Sequence, residues 1–441
     1  MPESQLDLFL RKVESHDFTG GVIGLGYVGL PLAMLFTEAG FRALGFDIDA
    51  RKPEMLARGE SYINYISGEE IATATKKGFA STTQFDRLPE ADSISICVPT
   101  PLDEHREPDL KYVEQTAIEI SKHLRKGQLV ILESTTYPGT TEELVLPILE
   151  RSGLTVGKDF FLAFSPERED PNNPQFSGRK IPKVLGGQTP ACLEAIKAFY
   201  GRIYEKIVPV SCPRVAEMSK LLENIFRCVN IALVNELKVV TDAMGINIWE
   251  VIEAARTKPF GFSPFYPGPG LGGHCIPIDP FYLTWKARRY GLNTRFIELA
   301  GEVNTSMPEY VIHKLLLALN EDRKPISGSR ILILGVAYKR DVDDVRESPA
   351  LEITHRLLRL GADVSYHDPY VPDYPEGRKG ALGIHSVDLT PEVLQQSDAV
   401  LIITDHRSVP YDQVGKYAKL VVDTRNAMAA VKSPQARIVQ A

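Results

Sequence analysis

Short apolar runs alternate with amphipathic stretches through the first part of the chain. GVIGLG (21–26), RALGFD (42–47), SISICVP (93–99), LVILES (129–134) and FFLAFSP (160–166) have the length and near-continuous apolar character of buried strands. Between the third and fourth lies YVEQTAIEISKHLRK (112–126), whose apolar positions recur with helical period. Strands separated by helices at this spacing predict a parallel, doubly wound sheet. From Pro213 the pattern changes. Val215, Met218, Leu222, Ile225, Val229, Leu233, Leu237 and Val240 fall at helical spacing, and Gly245 can end the helix. About 30 residues at 1.5 Å each make a rod of about 45 Å, roughly three times the average helix. That length suits a spine between domains and a dimer surface.

A Gly/Pro-rich loop, FGFSPFYPGPGLGGHCIPIDP (260–280), leads into the helical pattern FYLTWKARRY, which Gly291 ends. Alternation then resumes with RILILGVAY (330–338), ADVSYHD (362–368), AVLIIT (399–404) and KLVVDT (419–424). SPALEITHRLLRL (348–360) reads as a helix between the first two, and KPISG (324–328) as a linker. The predicted architecture is α/β: two doubly wound Rossmann-like domains joined by a long central helix in an all-α middle domain. Its boundaries fall at residues 1–210, 211–323 and 324–441. The two α/β parts are alike in kind, without a close sequence repeat.

The 441 residues fit several domains, and 44% apolar with 24% charged residues is globular rather than disordered. Fifty Lys and Arg against 57 Asp and Glu argue against a dedicated nucleic-acid binder. No apolar run reaches membrane-spanning length, and MPESQLDLFLRKVESHDF lacks the apolar core of a signal peptide. Cys97, Cys192, Cys212, Cys228 and Cys275 form no CxxC pair and no metal-ligand spacing, so no metal is expected. An odd cysteine count fits a reducing cytoplasm, with four of them as small buried apolar groups.

Gly24-Leu25-Gly26-Tyr27-Val28-Gly29 follows a predicted strand and opens a helix. Gly24 permits a tight turn, Gly26 lets backbone approach a pyrophosphate, and Gly29 allows close helix–strand packing. The helix N-terminus then offers N–H groups and a positive dipole end to the anion. Asp47 ends the second strand, placed to accept from a ribose 2′-hydroxyl and to repel a 2′-phosphate, which predicts NAD. Cys275 lies in a glycine-bounded loop ahead of a helix for which Asp279 and Pro280 read as N-cap and first residue. The dipole there favours thiolate, so Cys275 is either a nucleophile or a packed structural cysteine. His274 beside it is a weaker base candidate. Lys220 and Asn224 stand at i and i+4, either as an oxyanion-holding pair or as an exposed polar stripe. Ser165-Pro166-Glu167 is either a site segment or a helix start. Glu133-Ser134-Thr135-Thr136 follows a strand at a sheet's carboxyl edge, where open α/β folds bind ligands.

GLGYVGLPLA, CVPTP (97–101), ESTTYPGTT (133–141), FSPER (164–168), AEMSKLLEN (216–224), GLGGHCIPIDP (270–280) and ESPA (347–350) occur in order over nearly the whole chain. Together they resemble the nucleotide-sugar 6-dehydrogenases, the family containing UDP-glucose and GDP-mannose dehydrogenases. The resemblance implies a two-step, NAD-dependent oxidation of a sugar C6 alcohol to carboxylate through a cysteine-bound intermediate. It assigns Cys275 as nucleophile, Lys220 and Asn224 as oxyanion holders and Asp279 as an acidic partner in handling protons and water. Glu167 matches the residue of general-base work, and Thr135 one that orients water and borders the cofactor. Tyr27 and Val28 of the glycine loop, Thr100 and Arg346 match cofactor contacts. Substrate contacts carry over to Glu167, Arg168, Lys220, Asn224, Phe265, Tyr266, Gly272 and Lys339. Arg256 and Lys258 are both candidates for a cation lent across a dimer. The family further implies a homodimer or higher homo-oligomer.

Glucose-type members often carry lysine just before the aspartate of the cysteine motif; here it is Ile278. The run 257–283 is instead similar to the branch acting on UDP-N-acetylglucosamine, with UDP-glucose and the N-acetylmannosamine and N-acetylgalactosamine nucleotides as alternatives. A nucleotide-sugar epimerase would need a Tyr–Lys pair. Tyr282 with Lys286 and Tyr310 with Lys314 fit YxxxK formally but read as helix surface residues outside the first sheet. An NAD-sensing scaffold would have no use for Cys275, Lys220, Asn224 and Asp279 together.

Overall fold

The computed structural model describes residues 3–63, 65–103, 107–168, 178–273, 276–374 and 382–441. The chain divides into two compact units, one of Met1–Glu223 with Phe281–Leu292, the other of Asn224–Pro280 with Asn293–Ala441. The first unit is built on strands β1 (Thr19–Ile23), β2 (Arg42–Phe46), β3 (Phe79–Thr82), β4 (Ser93–Ile96), β5 (Leu129–Leu132), β6 (Phe161–Phe164), β7 (Lys183–Gly187) and β8 (Ile207–Val210). They form one sheet in the order β3-β2-β1-β4-β5-β6-β7-β8. Neighbours are parallel except β6 and β7, so β7 and β8 run against the others.

Burial on both faces explains why these strands lack a polar alternation. In β5, Leu129 and Ile131 join one core with Val22, Phe161 and Phe199, while Val130 and Leu132 join another with Ile23, Ile94 and Phe164. The five predicted strands of this sheet are present. β3, β7 and β8 were not expected: FAST has little apolar signal, KVLGG opens on a lysine, and IVPV carries a proline. Pro209 is tolerated because β8 is an edge strand. The helix Gln5–Glu14 precedes β1, closed at its start by a reciprocal Ser4–Asp7 cap and burying Phe9 and Val13.

The second unit carries a wholly parallel sheet of β9 (Arg330–Leu334), β10 (Asp363–His367), β11 (Ala399–Ile402), β12 (Leu420–Asp423) and β13 (Arg437–Gln440), ordered β10-β9-β11-β12-β13. Its turn after β9 repeats the device found after β1. Gly335 has φ +82°, and a Cβ there would meet Thr404 O at 2.3 Å. Asp368, just past β10, accepts from the N–H groups of Val336 and Ala337 at 2.7 and 3.0 Å. The same unit holds the helices Ile248–Arg256 and Arg295–Glu321. Among the described residues no helix is long and apolar enough to cross a membrane.

The long helix spans Pro213–Ala243, 31 residues, as its period predicts. Which face is buried differs from expectation. Ala216, Glu217, Lys220, Leu221, Asn224, Cys228, Ala232, Asn235 and Lys238 are buried, whereas Leu222 (59%), Leu233 (53%) and Val240 (47%) of the predicted apolar stripe are exposed. The helix therefore turns a largely polar and small-residue face inward and keeps an apolar row outside.

Candidate active site

The first unit holds a dinucleotide cradle at the point where strand order reverses, between β1 and β4. Gly24, at φ +92°, approaches the chain after β4 so closely that a Cβ would meet Cys97 O at 2.6 Å. Gly29 opens the helix Gly29–Glu38, and a Cβ there would lie 1.9 Å from Gly24 O. At Gly26, by contrast, nothing lies within 4 Å of the position a Cβ would take. That open space, on a helix N-terminus that no side chain caps, fits a pyrophosphate. The loop is held from outside: Tyr62 donates to Leu25 O at 2.6 Å and Tyr65 to Tyr27 O at 3.3 Å. Val28 is the helix N-cap.

Asp47, 5% exposed, stands just past β2. Its carboxylate accepts from Leu25 N–H at 2.8 Å, Asp49 N–H at 3.0 Å and Lys52 Nζ at 2.7 Å. The lysine was not anticipated; it neutralises the acid while leaving it at the strand end. Thr100 is buried, its carbonyl accepting from Tyr282 Oη at 2.5 Å.

The carboxyl edge of the same sheet gathers charge. Glu133, fully buried just after β5, accepts from Lys183 Nζ at 2.7 Å and from the Tyr200 hydroxyl. Lys183 also donates to Glu167 at 3.2 Å. Burial pushes the Glu133 carboxyl up to about 7; Lys183 opposes that rise and Glu167 adds to it. Arg168 donates to Pro182 O at 2.7 Å and pairs with Glu223 at 2.7 Å. Thr135 is half-buried on the loop after β5. Glu217 anchors that loop, accepting from Gly139 N–H at 2.5 Å and from Thr141 N–H at 2.9 Å. Lys220 follows one turn later, 9% exposed. The exposed-stripe alternative for Lys220 and Asn224 is thereby excluded, since both are buried.

In the second unit Asn224 Nδ2 donates to Asp279 Oδ2 at 2.5 Å, and both groups are buried. Asp279 belongs to the first turn of the helix Asp279–Arg288. Gly272 lies against the β9 turn, where a Cβ would meet Tyr338 Cβ at 2.7 Å, and Gly273 N–H donates to Arg346 O at 2.9 Å. Lys339 is half-buried on that turn. The Arg346 side chain is paired with Asp344 at 2.6 Å, and Arg256 with Glu253 at 2.7 Å. Lys258 lies over the Phe260 ring. Phe265 packs edge-on against Phe226, and Tyr266 stacks on Trp249 at 5.5 Å. His274 and Cys275 lie outside the described residues.

The sequence matches three consecutive domains of one family: the UDP-glucose/GDP-mannose dehydrogenase NAD binding domain over residues 20–206, central domain over 214–306 and UDP binding domain over 332–430. A UDP-N-acetyl-D-glucosamine 6-dehydrogenase of Pseudomonas aeruginosa is 38% identical over 80% of this chain and 83% of its own. The chain belongs to the UDP-glucose/GDP-mannose dehydrogenase family. The structure of a UDP-N-acetylmannosamine dehydrogenase from Pyrococcus horikoshii superposes with TM-score 0.84 at 32% identity, covering 96% of this chain and 98% of that one. A UDP-glucose dehydrogenase from Pyrobaculum islandicum gives TM-score 0.83 at 27% identity over 96% and 97%. The protein is thus an NAD-dependent UDP-sugar 6-dehydrogenase by family.

Within this dehydrogenase several expectations need correction. Tyr282 and Lys286 are buried, not surface residues: the phenol serves Thr100, and the ammonium bonds Glu143 at 2.6 Å. Tyr310 and Lys314 both serve Asp242, at 2.9 and 2.8 Å. Of the four cysteines expected to be buried, Cys192 and Cys228 are, while Cys97 and Cys212 are half-buried. Lys183, Tyr200 and Glu217 were missed. The one available signal was Pro182-Lys183 opening an otherwise apolar run, and a lysine there reads equally well as solvated.

Proposed function

We propose that this dehydrogenase oxidises C6 of UDP-N-acetyl-D-glucosamine to the uronic acid through a Cys275 thioester. When bound, the nicotinamide of NAD accepts hydride, which no side chain of this chain can do. Glu167 takes the proton of the C6 hydroxyl. The Cys275 thiolate then adds to the aldehyde carbon, giving a hemithioacetal whose remaining hydride can leave. Lys220 and Asn224 donate to the oxygen that carries negative charge at each stage. Asp279 fixes the Asn224 amide, and Thr135 orients the water that cleaves the thioester. Asp47 receives the adenosine ribose, with Tyr27, Val28 and the three glycines at the pyrophosphate and Thr100 and Arg346 as further cofactor contacts. Arg168, Arg256, Lys258, Phe265, Tyr266, Gly272 and Lys339 complete the substrate contacts.

The observation that carries the acetamido reading is the 257–283 run: Phe265 and Tyr266 are held by Phe226 and Trp249, and buried Ile278 stands where glucose-type relatives often have lysine. Burying an acetamido methyl contributes about 1 kcal/mol, roughly fivefold in preference. Steeper selection needs a hydrogen bond to the amide. UDP-N-acetylmannosamine is the second reading, supported by the fit to the Pyrococcus enzyme. The expected result of a kcat/KM comparison across UDP-N-acetylglucosamine, its manno and galacto epimers and UDP-glucose is that the gluco acetamido sugar leads. UDP-glucose in first place would overturn the acetamido reading. Running the panel with NADP as well tests Asp47, since equal turnover with both cofactors would remove its role.

The exposed row Leu222, Phe226, Leu233, Leu237 and Val240 follows one face of the long helix. A contiguous apolar surface of this kind favours association, and we infer a homodimer through it. Sedimentation is expected to give twice the 49.0 kDa chain mass, and a purely monomeric protein at micromolar concentration would contradict the inference.

A further inference from the structure

β7 is the strand that reverses direction in the first sheet, and the reversal has a chemical result. In a parallel strand the first residue lies at the edge away from the ligand-binding side. In β7 the first residue, Lys183, lies instead at the carboxyl edge of β5 and β6. The antiparallel pairs Ala163–Gly187 and Phe164–Gly186 set a register that, continued past the end of β6, puts Glu167 opposite Lys183. Lys183 Nζ accordingly reaches Glu167 at 3.2 Å and Glu133 at 2.7 Å. Its side chain is 3% exposed and that of Glu133 is wholly buried.

Burying an ion pair costs several kcal/mol per charge, and well-packed apolar residues commonly do as well for stability. Here the cost falls beside the residue assigned general-base work. The ammonium is fixed on its far side: Glu133 holds it, and the Tyr200 hydroxyl holds the other Glu133 oxygen. The rings of Tyr200 and Tyr204 lie 6.0 and 5.4 Å from Nζ. Arg168, next to Glu167, donates to the carbonyl of Pro182, next to Lys183, so the backbone around the two partners is tied as well.

We propose that Lys183 is a positioning residue for the reaction, holding the Glu167 carboxylate ionised and oriented, with Glu133 and Tyr200 as the fixed support of the lysine. The proposal rests on the reading of Glu167 as the base. An ammonium 3.2 Å from a carboxylate favours its charged form, so Lys183 keeps Glu167 ready to accept a proton. Among the described residues, the ionisable groups around the pair include Glu133 after β5, Cys97 after β4, Tyr200 and Tyr204 from the helix Pro190–Tyr200 and the turn behind it, and Arg168, itself paired with Glu223. Of these Glu133, at about 7, is the one that titrates near neutrality and weakens the lysine's hold when protonated.

The test measures kcat against pH, with the UDP-sugar that turns over best, for wild type, Lys183→Met, Lys183→Arg, Lys183→Met/Glu133→Gln and Glu167→Gln. Loss of the cation is expected to lower kcat about a hundredfold near neutral pH. It should also move the acidic limb upward by about one unit or more, with activity partly returning at high pH. NAD affinity should stay at the wild-type value, and Lys183→Arg should restore part of the rate with a limb near the wild-type position. If Lys183→Met does not fold, the double variant, which removes both buried charges, is read in its place. Glu167→Gln losing activity while the lysine variants keep the wild-type limb would overturn the positioning role and leave the base intact. Full activity in Glu167→Gln would overturn the base reading itself.

Discussion

Replacing Cys275 with Ala is expected to abolish carboxylate formation, a loss of at least about 10⁴-fold, the scale seen when a covalent nucleophile is removed. An alcohol gives up one hydride to become an aldehyde, and the aldehyde carbon has no second hydride to lose readily until a nucleophile adds to it. Thiolate addition supplies that step, and the resulting thioester is open to water. The variant should still bind NAD and sugar and release at most one NADH per sugar. Three of the other cysteines are poorly placed to take over. Cys192 is engaged by Leu162 N–H and Thr189, and Cys228 packs under Asn304 with its thiol pushed up by burial. The burial that raises the Cys97 thiol, with Glu133 beside it, works against a thiolate there. Wild-type carboxylate yield from the alanine variant would contradict the covalent mechanism.

Lys220→Ala should lower kcat by about 10²–10³-fold with a smaller effect on KM, the pattern for a donor that matters most in the transition state. Its helix turn is pinned independently, because Glu217 binds the backbone of Gly139 and Thr141. The helix should therefore persist, and a thermal midpoint close to wild type would show that the rate loss is chemical. An unchanged kcat would take the oxyanion role away from Lys220.

Much of this could be read from the residues alone. Strands buried on both faces announce themselves, as LVIL of β5 does at every position and ILIL of β9 does after the exposed Arg330. The glycine loop was readable because each glycine answers a separate steric demand, at Gly24 and Gly29 against the protein's own backbone and at Gly26 against open space. Asp279 and Asn224 could be listed as candidates, but their mutual hydrogen bond joins positions far apart in sequence. Lys183 was invisible for a related reason. A lysine at the start of a strand is ordinarily solvated, and only the reversal of β7, which no local pattern encodes, carries it to two acids. The inward face of the long helix was misjudged because hydrophobic period marks an apolar row without saying whether this chain or another copy covers it. Cys275 and His274 lie outside the described residues, so the case for the nucleophile rests on motif and chemistry.

Counting NADH formed per UDP-sugar consumed tests the central claim most directly. A four-electron oxidation with one cofactor site and one cysteine predicts two NADH for each sugar, with uronic acid as the product and no free aldehyde. One NADH per sugar with accumulating aldehyde, or sugar conversion with no net NADH, would contradict it.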